Sequence, residues 1–217
     1  GWDFQLYQPQ EKVSVTSGET LTLTCTTSGE GPIGPLKWLK GWGNRNETVY
    51  DQTSSSPRVT RVQSESNTDF SIYIRDVRPE DAGTYYCVKF RRSEHQAEEL
   101  FQHGKGTEVS VRAKPTPPVV SGPEHRAGPG QSVSVTCTAG GFFPENITVK
   151  WFKDTDPITA QPPQVTREQT KSSYNMSSTV VVTLQKDDVR SQLMCEVQHP
   201  TLPAPLRQPY QLGRALR

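Results

Sequence analysis

The chain has 217 residues with 24 basic and 23 acidic side chains, a formal net charge of +1, which gives no general attraction to nucleic acid or anionic lipid. A hydrophobic content of 32% and a mean hydropathy of -0.68 are low for one large core. They suit two domains of about 100 residues, each a thin β-sandwich in which every second strand residue faces water.

The first half reads as a series of short strands. Leu21, Leu23 and Cys25 alternate with threonines, as a half-buried strand requires. Trp38 follows Cys25 by a dozen or so positions, and the acceptor sequon Asn46-Glu-Thr48 comes next. Phe70, Ile72 and Ile74 repeat the alternation, ahead of a turn-like stretch over residues 75–81. Tyr85 stands two residues before Cys87, the position from which a tyrosine hydroxyl ties down the corner before a strand. A last strand spans Thr107–Arg112, with Val109 and Val111 alternating against Glu108 and Ser110. No segment carries helical periodicity.

Residues 114–118 include Pro115, Pro117 and Pro118. Prolines at this density cannot continue a central strand and hold the chain extended. The stretch reads as a short, stiff linker, or as the start of an edge strand, and the domains are taken as 1–113 and 114–217. The second half repeats the scheme with Val133, Val135 and Cys137, then Ile147, Val149 and Trp151, then Val180, Val182 and Leu184. Leu193 stands two before Cys195, where the first half has Tyr85. The tyrosine corner is therefore absent there, and that corner must be held in another way.

The four cysteines divide two per half. Cys25 and Cys87, then Cys137 and Cys195, lie about 60 residues apart with a tryptophan between, the spacing at which strands of facing sheets are stapled across an indole. Each such bridge closes a loop of roughly 60 residues, worth on the order of 4 kcal/mol in the chain-entropy model. No Cys-x-x-Cys occurs, which argues against zinc, and paired cysteines indicate an oxidising compartment. The sequons at Asn46, Asn146 and Asn175 point the same way, to an extracellular glycoprotein. No apolar run is long enough to cross a bilayer and no signal peptide precedes Gly1, so the chain reads as a mature, soluble piece. His95, His103, His125 and His199 are scattered without metal-ligand spacing, and no nucleophile, phosphate-loop or zincin motif occurs. An enzyme is not expected, and neither a cofactor nor a metal. Function belongs to loops on a rigid frame.

Tyr85-Tyr86-Cys87, with Gly104-Lys-Gly106-Thr107 after a variable loop, resembles an immunoglobulin variable-type domain. Gly140-Gly-Phe-Phe-Pro144, Trp151 and Cys195-Glu-Val-Gln-His199 resemble a constant-type domain. The fold implied is all-β, two tandem immunoglobulin-like β-sandwiches, variable-type then constant-type. Longer stretches resemble the signal-regulatory proteins of myeloid cells: Pro57-Arg-Val-Thr60, Asp69-Phe-Ser-Ile72, Asp81 through Arg91, the junction from Val111 to Pro123, and Lys150-Trp-Phe-Lys153. The junction peptide is the most diagnostic of these.

That resemblance implies a cell-surface receptor whose first domain binds the integrin-associated protein on an opposing cell. The family typically adds a third domain, a membrane span and a signalling tail or adaptor-recruiting span. Carried onto this chain, the binding loops are residues 28–35, 51–57, 66–69 and 91–100. The candidate contact residues are Glu30, Pro32, Ile33, Gly34, Pro35, Lys37, Gln52, Thr53, Asn67, Lys89, Arg91, Arg92, Glu94 and Glu98. Glu30 and Gly31 replace the family's usual apolar pair, Lys37 stands where a glutamine is usual, and the last loop is one residue longer. Arg58 and Asp81 are expected to pair beneath the first sandwich, and Asn46 to sit at the end opposite the binding loops. The rival reading is an antigen-receptor-like chain, which pairs through a glutamine and a phenylalanine on its sheet face. Gly41 and His103 occupy those positions here, so a monomer is expected.

Overall fold

Alternating apolar and hydroxyl residues leave one face of each segment fit for burial, and each of these segments becomes a strand. The computed structural model describes every residue except Ser55, Gln96, Thr170 and Lys171, so the portions of the 51–57 and 91–100 loops at Ser55 and Gln96 lie outside the described residues. The chain divides into the units Gly1–Val111 and Arg112–Arg217, where the sequence puts the junction after residue 113. Ala113 already exchanges backbone hydrogen bonds of 3.0 Å with Phe143 in the second unit.

The strands of the first unit are β1 Gln5–Tyr7, β2 Lys12–Thr16, β3 Leu21–Leu23, β4 Thr26–Ser28, β5 Leu36–Lys40, β6 Glu47–Tyr50, β7 Val59–Arg61, β8 Ile72–Ile74, β9 Gly83–Arg92, β10 Glu98–His103 and β11 Thr107–Arg112. Beside a two-stranded β1-β4 sheet, one main sheet runs β3-β8-β7 and the other β2-β11-β9-β5-β6 with β10 also on β9. Between them Leu21, Leu23, Ile72 and Ile74 pack with Trp38, Tyr85, Val109 and Val111, all 2% exposed or less. Each such aliphatic side chain gains about 2 kcal/mol from burial. Cys25 and Cys87 are bonded with their Cα atoms 6.4 Å apart, and the Trp38 indole donates to the Phe70 carbonyl at 2.8 Å. The Tyr85 hydroxyl donates to the Asp81 carbonyl at 2.6 Å, the corner expected from its place before Cys87.

The second unit comprises β12 Val119–Ser121, β13 Ser132–Phe142, β14 Thr148–Lys153, β15 Asp156–Ile158, β16 Gln164–Glu168, β17 Ser173–Thr183, β18 Gln192–Gln198 and β19 Leu206–Gln211. Its sheets are β12-β13-β17-β16 and β15-β14-β18-β19. Cys137 and Cys195 bridge them with a Cα separation of 6.5 Å, and the Trp151 indole donates to Ser178 Oγ at 2.9 Å. Where the tyrosine corner is missing, Asp188 holds the turn. Its carboxylate accepts from Gln185 N at 2.8 Å, Ser191 Oγ at 3.0 Å and Lys153 Nζ at 2.8 Å, and the residue is 2% exposed. Residues 114–118 lie outside any strand and are tied to this unit: Thr116 N donates to the Gly140 carbonyl at 2.9 Å before β12 begins. The described residues contain no helix beyond short 3-10 turns, the longest Lys186–Arg190.

Candidate functional site

At one end of the first sandwich, three connections between strands converge. The loop after β4 is pinned twice to β9: Arg92 N donates to the Ile33 carbonyl at 3.0 Å and Phe90 N to the Pro35 carbonyl at 2.9 Å. Gly34 lies so close to that strand that a Cβ atom there would come within 2.2 Å of the Phe90 carbonyl oxygen. This pinning leaves the Ile33 side chain 85% exposed at the rim. Glu30 is also exposed, its N–H bound by Asp3 Oδ1 at 2.8 Å.

Gly31 has its own cause. A Cβ there would meet the Phe4 ring at 2.9 Å. Phe4 also packs edge-on against Phe101 at 5.9 Å. The ring from the N-terminal segment thus fills space beneath the loop that an apolar side chain at position 31 would claim.

The turn at residues 66–69 is held by Ser66 Oγ, which accepts from Thr68 N at 3.1 Å and Asp69 N at 2.9 Å. The Arg61 guanidinium clasps it, donating to the carbonyls of Ser66 and Asp69, both at 2.6 Å, and lies over the Phe70 ring at 4.5 Å. Asn67 is left exposed at the tip. The segment after β6 is ordered by Asp51 Oδ1, which accepts from Thr53 N at 2.8 Å, Thr53 Oγ1 at 2.7 Å and Ser54 N at 2.7 Å. The Thr53 hydroxyl, with the neighbouring backbone N–H groups, holds the Asp51 carboxyl below its ordinary range. Gln52 and Thr53 face solvent beside it.

A cavity of about 210 Å³ joins these connections, and Pro32, Gly34, Gln52, Asn67 and Lys89 from the sequence-derived set all line it. Phe4, Thr27 and Thr68 line it too. These are residues the sequence reading did not single out, because their only signal is a fold that brings the N-terminus over β4. Lys89 does not project outward as a free contact. Its ammonium donates to the Gly34 carbonyl at 2.5 Å, and burial lowers its pKa from the ordinary lysine value.

The remaining candidates lie along the β9–β10 hairpin. Residues 91–100, read from sequence as one loop, are strand at both ends: Arg91 faces Glu99 and Arg92 faces Glu98 across the ladder, and Ser93 N closes the turn on the Ala97 carbonyl at 2.8 Å. Glu98 forms an ion pair with Lys37 Nζ at 2.8 Å, and Arg91 Nε one with Glu99 at 3.1 Å. Lys37 therefore occupies its unusual position against a matching carboxylate, with the Phe90 ring 5.3 Å from its ammonium. Arg92 and Glu94 are exposed near the tip.

Asn46 is exposed after the turn Gly43–Arg45, past the end of β5 that lies away from residues 28–35. Asn146 and Asn175 are exposed in the second unit. Gly41 has a φ of 83° and donates to the Thr84 carbonyl at 2.9 Å, while His103 packs on Trp42 at 4.6 Å. Among the described residues no group of His, Cys, Asp or Glu has the arrangement of a metal site. Among the described residues no helix is long and apolar enough to cross a membrane.

Comparison with known proteins matches residues 8–112 to the immunoglobulin V-set domain and residues 119–202 to the immunoglobulin C1-set domain. The chain is 47% identical over 221 residues to tyrosine-protein phosphatase non-receptor type substrate 1 of Bos taurus, covering 99% of this chain and 44% of that protein. It is 45% identical over 220 residues to signal-regulatory protein beta-1 of Homo sapiens, covering 99% of this chain and 55% of that one. The chain thus spans about half the length of these relatives, and neither name is that of an enzyme. A solved structure titled "Crystal Structure of Rst D1-D2" shares the fold with a TM-score of 0.67 at 17% identity, covering 96% of this chain and 97% of that one. With its V-set and C1-set sandwiches, two disulfides and these relatives, the chain belongs to the signal-regulatory protein family of the immunoglobulin superfamily.

Proposed function

We propose that this chain is the extracellular recognition segment of a cell-surface receptor, and that its first unit binds the integrin-associated protein of an opposing cell through the loop end of its sandwich. The observation that carries the reading is the convergence of Pro32, Gly34, Gln52, Asn67 and Lys89 on one cavity, with Ile33 85% exposed at its rim. A rigid, partly apolar concavity edged by charged side chains is the form of a protein-recognition patch, in which a small central set carries the affinity. In this reading Ile33 supplies the apolar anchor, and Arg92 and Glu94 choose and steer the partner. Asn46, past the far end of β5, carries a glycan that leaves the loops open, and Asn146 and Asn175 are further acceptors. The chain is monomeric, since His103 and Trp42 occupy the face that antigen-receptor chains use for pairing.

The test is surface plasmon resonance of the full chain over the integrin-associated protein ectodomain, with light scattering for oligomeric state. Binding that Ile33→Asp weakens at least tenfold, about 1.4 kcal/mol, is the expected result. No binding, or binding indifferent to Ile33→Asp, overturns the assignment, and an obligate dimer favours the antigen-receptor reading.

A further inference from the structure

Asn175 is the third residue of β17 and not in a connection, and its partner across the ladder is Gly140 of β13. The pairing shifts register just beyond, between Gly140 and Phe142, a bulge that re-aims side chains locally. A Cβ atom on Gly140 would come within 2.3 Å of Asn175 Oδ1. The glycine is therefore what allows the Asn175 side chain to lie across its neighbouring strand. There Oδ1 accepts from Gly141 N at 3.3 Å. The amide oxygen is engaged with backbone, while Nδ2 is the atom to which a sugar is joined.

The surface reached this way is a groove of about 390 Å³ across the outer face of the β12-β13-β17-β16 sheet, within the range of about 300–1,000 Å³ that holds small organic ligands. Thr116, Val119, Thr138, Gly140, Gln164 and Thr166 line it, and none of its lining residues carries a charge. Its chemistry is hydroxyls and amides beside the apolar side chains of Val119, Ala139 and Met176, of which Val119 is 63% exposed. Hydroxyl and amide groups beside an apolar floor match a pyranose, whose ring presents hydroxyls at its edge and C–H groups on its face. The sequon Asn175-Met-Ser177 forms one wall of the groove.

From this geometry we infer that Asn175 carries an N-linked glycan whose first N-acetylglucosamine seats in this groove, covering the uncharged sheet face of the second unit. In the modification Asn175 Nδ2 attacks the anomeric carbon of a lipid-pyrophosphate-linked oligosaccharide. The C–N bond forms, the amide nitrogen loses one proton, and the lipid pyrophosphate leaves with the electron pair of the broken C–O bond. The inference rests on the secretory part of the proposed function, and does not depend on what the first unit binds.

The test is the full chain secreted from mammalian cells, with glycopeptide mass spectrometry for occupancy and the native rate of amidase release at each site. Release at Asn175 is expected to be about tenfold slower than at Asn46, the factor for about 1.4 kcal/mol of seating, and equal to it after denaturation. Thr138→Arg, which puts bulk and charge into the groove from an exposed strand position, is expected to abolish the difference. Thr166→Arg on the edge strand serves the same purpose if the first variant does not fold. Sugar on Asn46 but none on Asn175 overturns the inference alone, and sugar on no acceptor overturns it together with the secretory reading. Equal native release rates, or slow release that neither groove variant accelerates, overturn the seat.

Discussion

Arg58 and Asp81 meet as a two-pronged pair, Nη1 to Oδ2 at 2.9 Å and Nη2 to Oδ1 at 3.0 Å. The same carboxylate accepts from Arg78 N at 2.8 Å, capping the turn Pro79–Asp81, and Tyr85 donates to the Asp81 carbonyl. One aspartate thus joins the start of β7 to the corner ahead of β9. Asp81→Ala removes charge-assisted bonds and a cap together, with an expected cost of about 3 kcal/mol and a fall of about 10 °C in the melting temperature of the first unit. Partner affinity is expected to stay unchanged, because none of these atoms lines the loop-end cavity. Calorimetry beside binding measurements checks both halves, and an unchanged melting temperature contradicts the role given to the pair.

The pH dependence follows from Asp81 and Asp188. Burial pushes each carboxyl up, but the opposing effects outweigh it: for Asp81 the Arg58 hydrogen bond, the Arg78 N–H and the charges of Arg58 and Lys40, for Asp188 the Lys153 contact, the Gln185 N–H and the Ser191 hydroxyl. Both settle below the ordinary carboxylate range. The unfolded chain then binds protons first, so the stabilisation is complete above an unfolded pKa of about 3.9 and is lost as pH falls through the lower folded value. Asp81→Asn and Asp188→Asn are expected to be less stable at neutral pH and to show a flatter stability profile below pH about 4. Urea titrations across that range decide it, and a profile as steep as that of the unchanged chain tells against the assignment.

Covalent and periodic features were legible in the sequence. Cys25, Trp38, Tyr85 and Cys87 are tied to one another by sheet packing and a disulfide, so residue type and spacing were enough to locate the core, and likewise Cys137, Trp151 and Cys195. The loop end was legible only in part. The hairpin arms at Arg91–Glu99 and Arg92–Glu98 carry charges on both faces, so no apolar alternation betrayed a strand. Asp188 standing in for the missing tyrosine, and Phe4 beneath Gly31, depend on residues remote in sequence that only the fold brings together.

The hairpin charges are not equivalent. Glu98 and Arg91 are already matched by Lys37 and Glu99, whereas Arg92 is exposed near the tip. Arg92→Ala is expected to slow association with the partner several-fold at low salt, and Glu98→Ala to change it less. Both should leave stability within about 1 kcal/mol of the parent, as partly exposed ion pairs do. Stopped-flow association at two ionic strengths separates the variants, and a larger effect from Glu98→Ala reverses the assignment.

Gly34 ties the loop to the hairpin by closeness of backbone. An added methyl would sit 2.2 Å from the Phe90 carbonyl oxygen, and a backbone atom cannot swing aside as a side-chain tip does. Gly34→Ala is expected to cost about 1–3 kcal/mol and to break the Lys89 bond to the Gly34 carbonyl by displacing the loop. Hydrogen exchange at Phe90 and Arg92, whose N–H groups bond to Pro35 and Ile33, should then accelerate. Unaltered exchange at both shows that the loop can shift without unpinning.

Phe4 and Gly31 make a pair that a double-mutant cycle can read. Gly31→Ala alone drives a methyl to 2.9 Å from the Phe4 ring, with an expected cost of about 1–3 kcal/mol. Phe4→Ala alone removes a half-buried ring and its edge contact with Phe101, with an expected cost of about 2 kcal/mol, below the 3–5 kcal/mol of a fully buried ring. Because the second change empties the space that the first one needs, the double variant should be more stable than the sum by about 1 kcal/mol. Chemical denaturation of the four proteins measures this directly. Simple additivity means that Phe4 does not occupy the place of the missing loop side chain, and the replacement of the family's apolar pair by Glu30 and Gly31 then needs another cause.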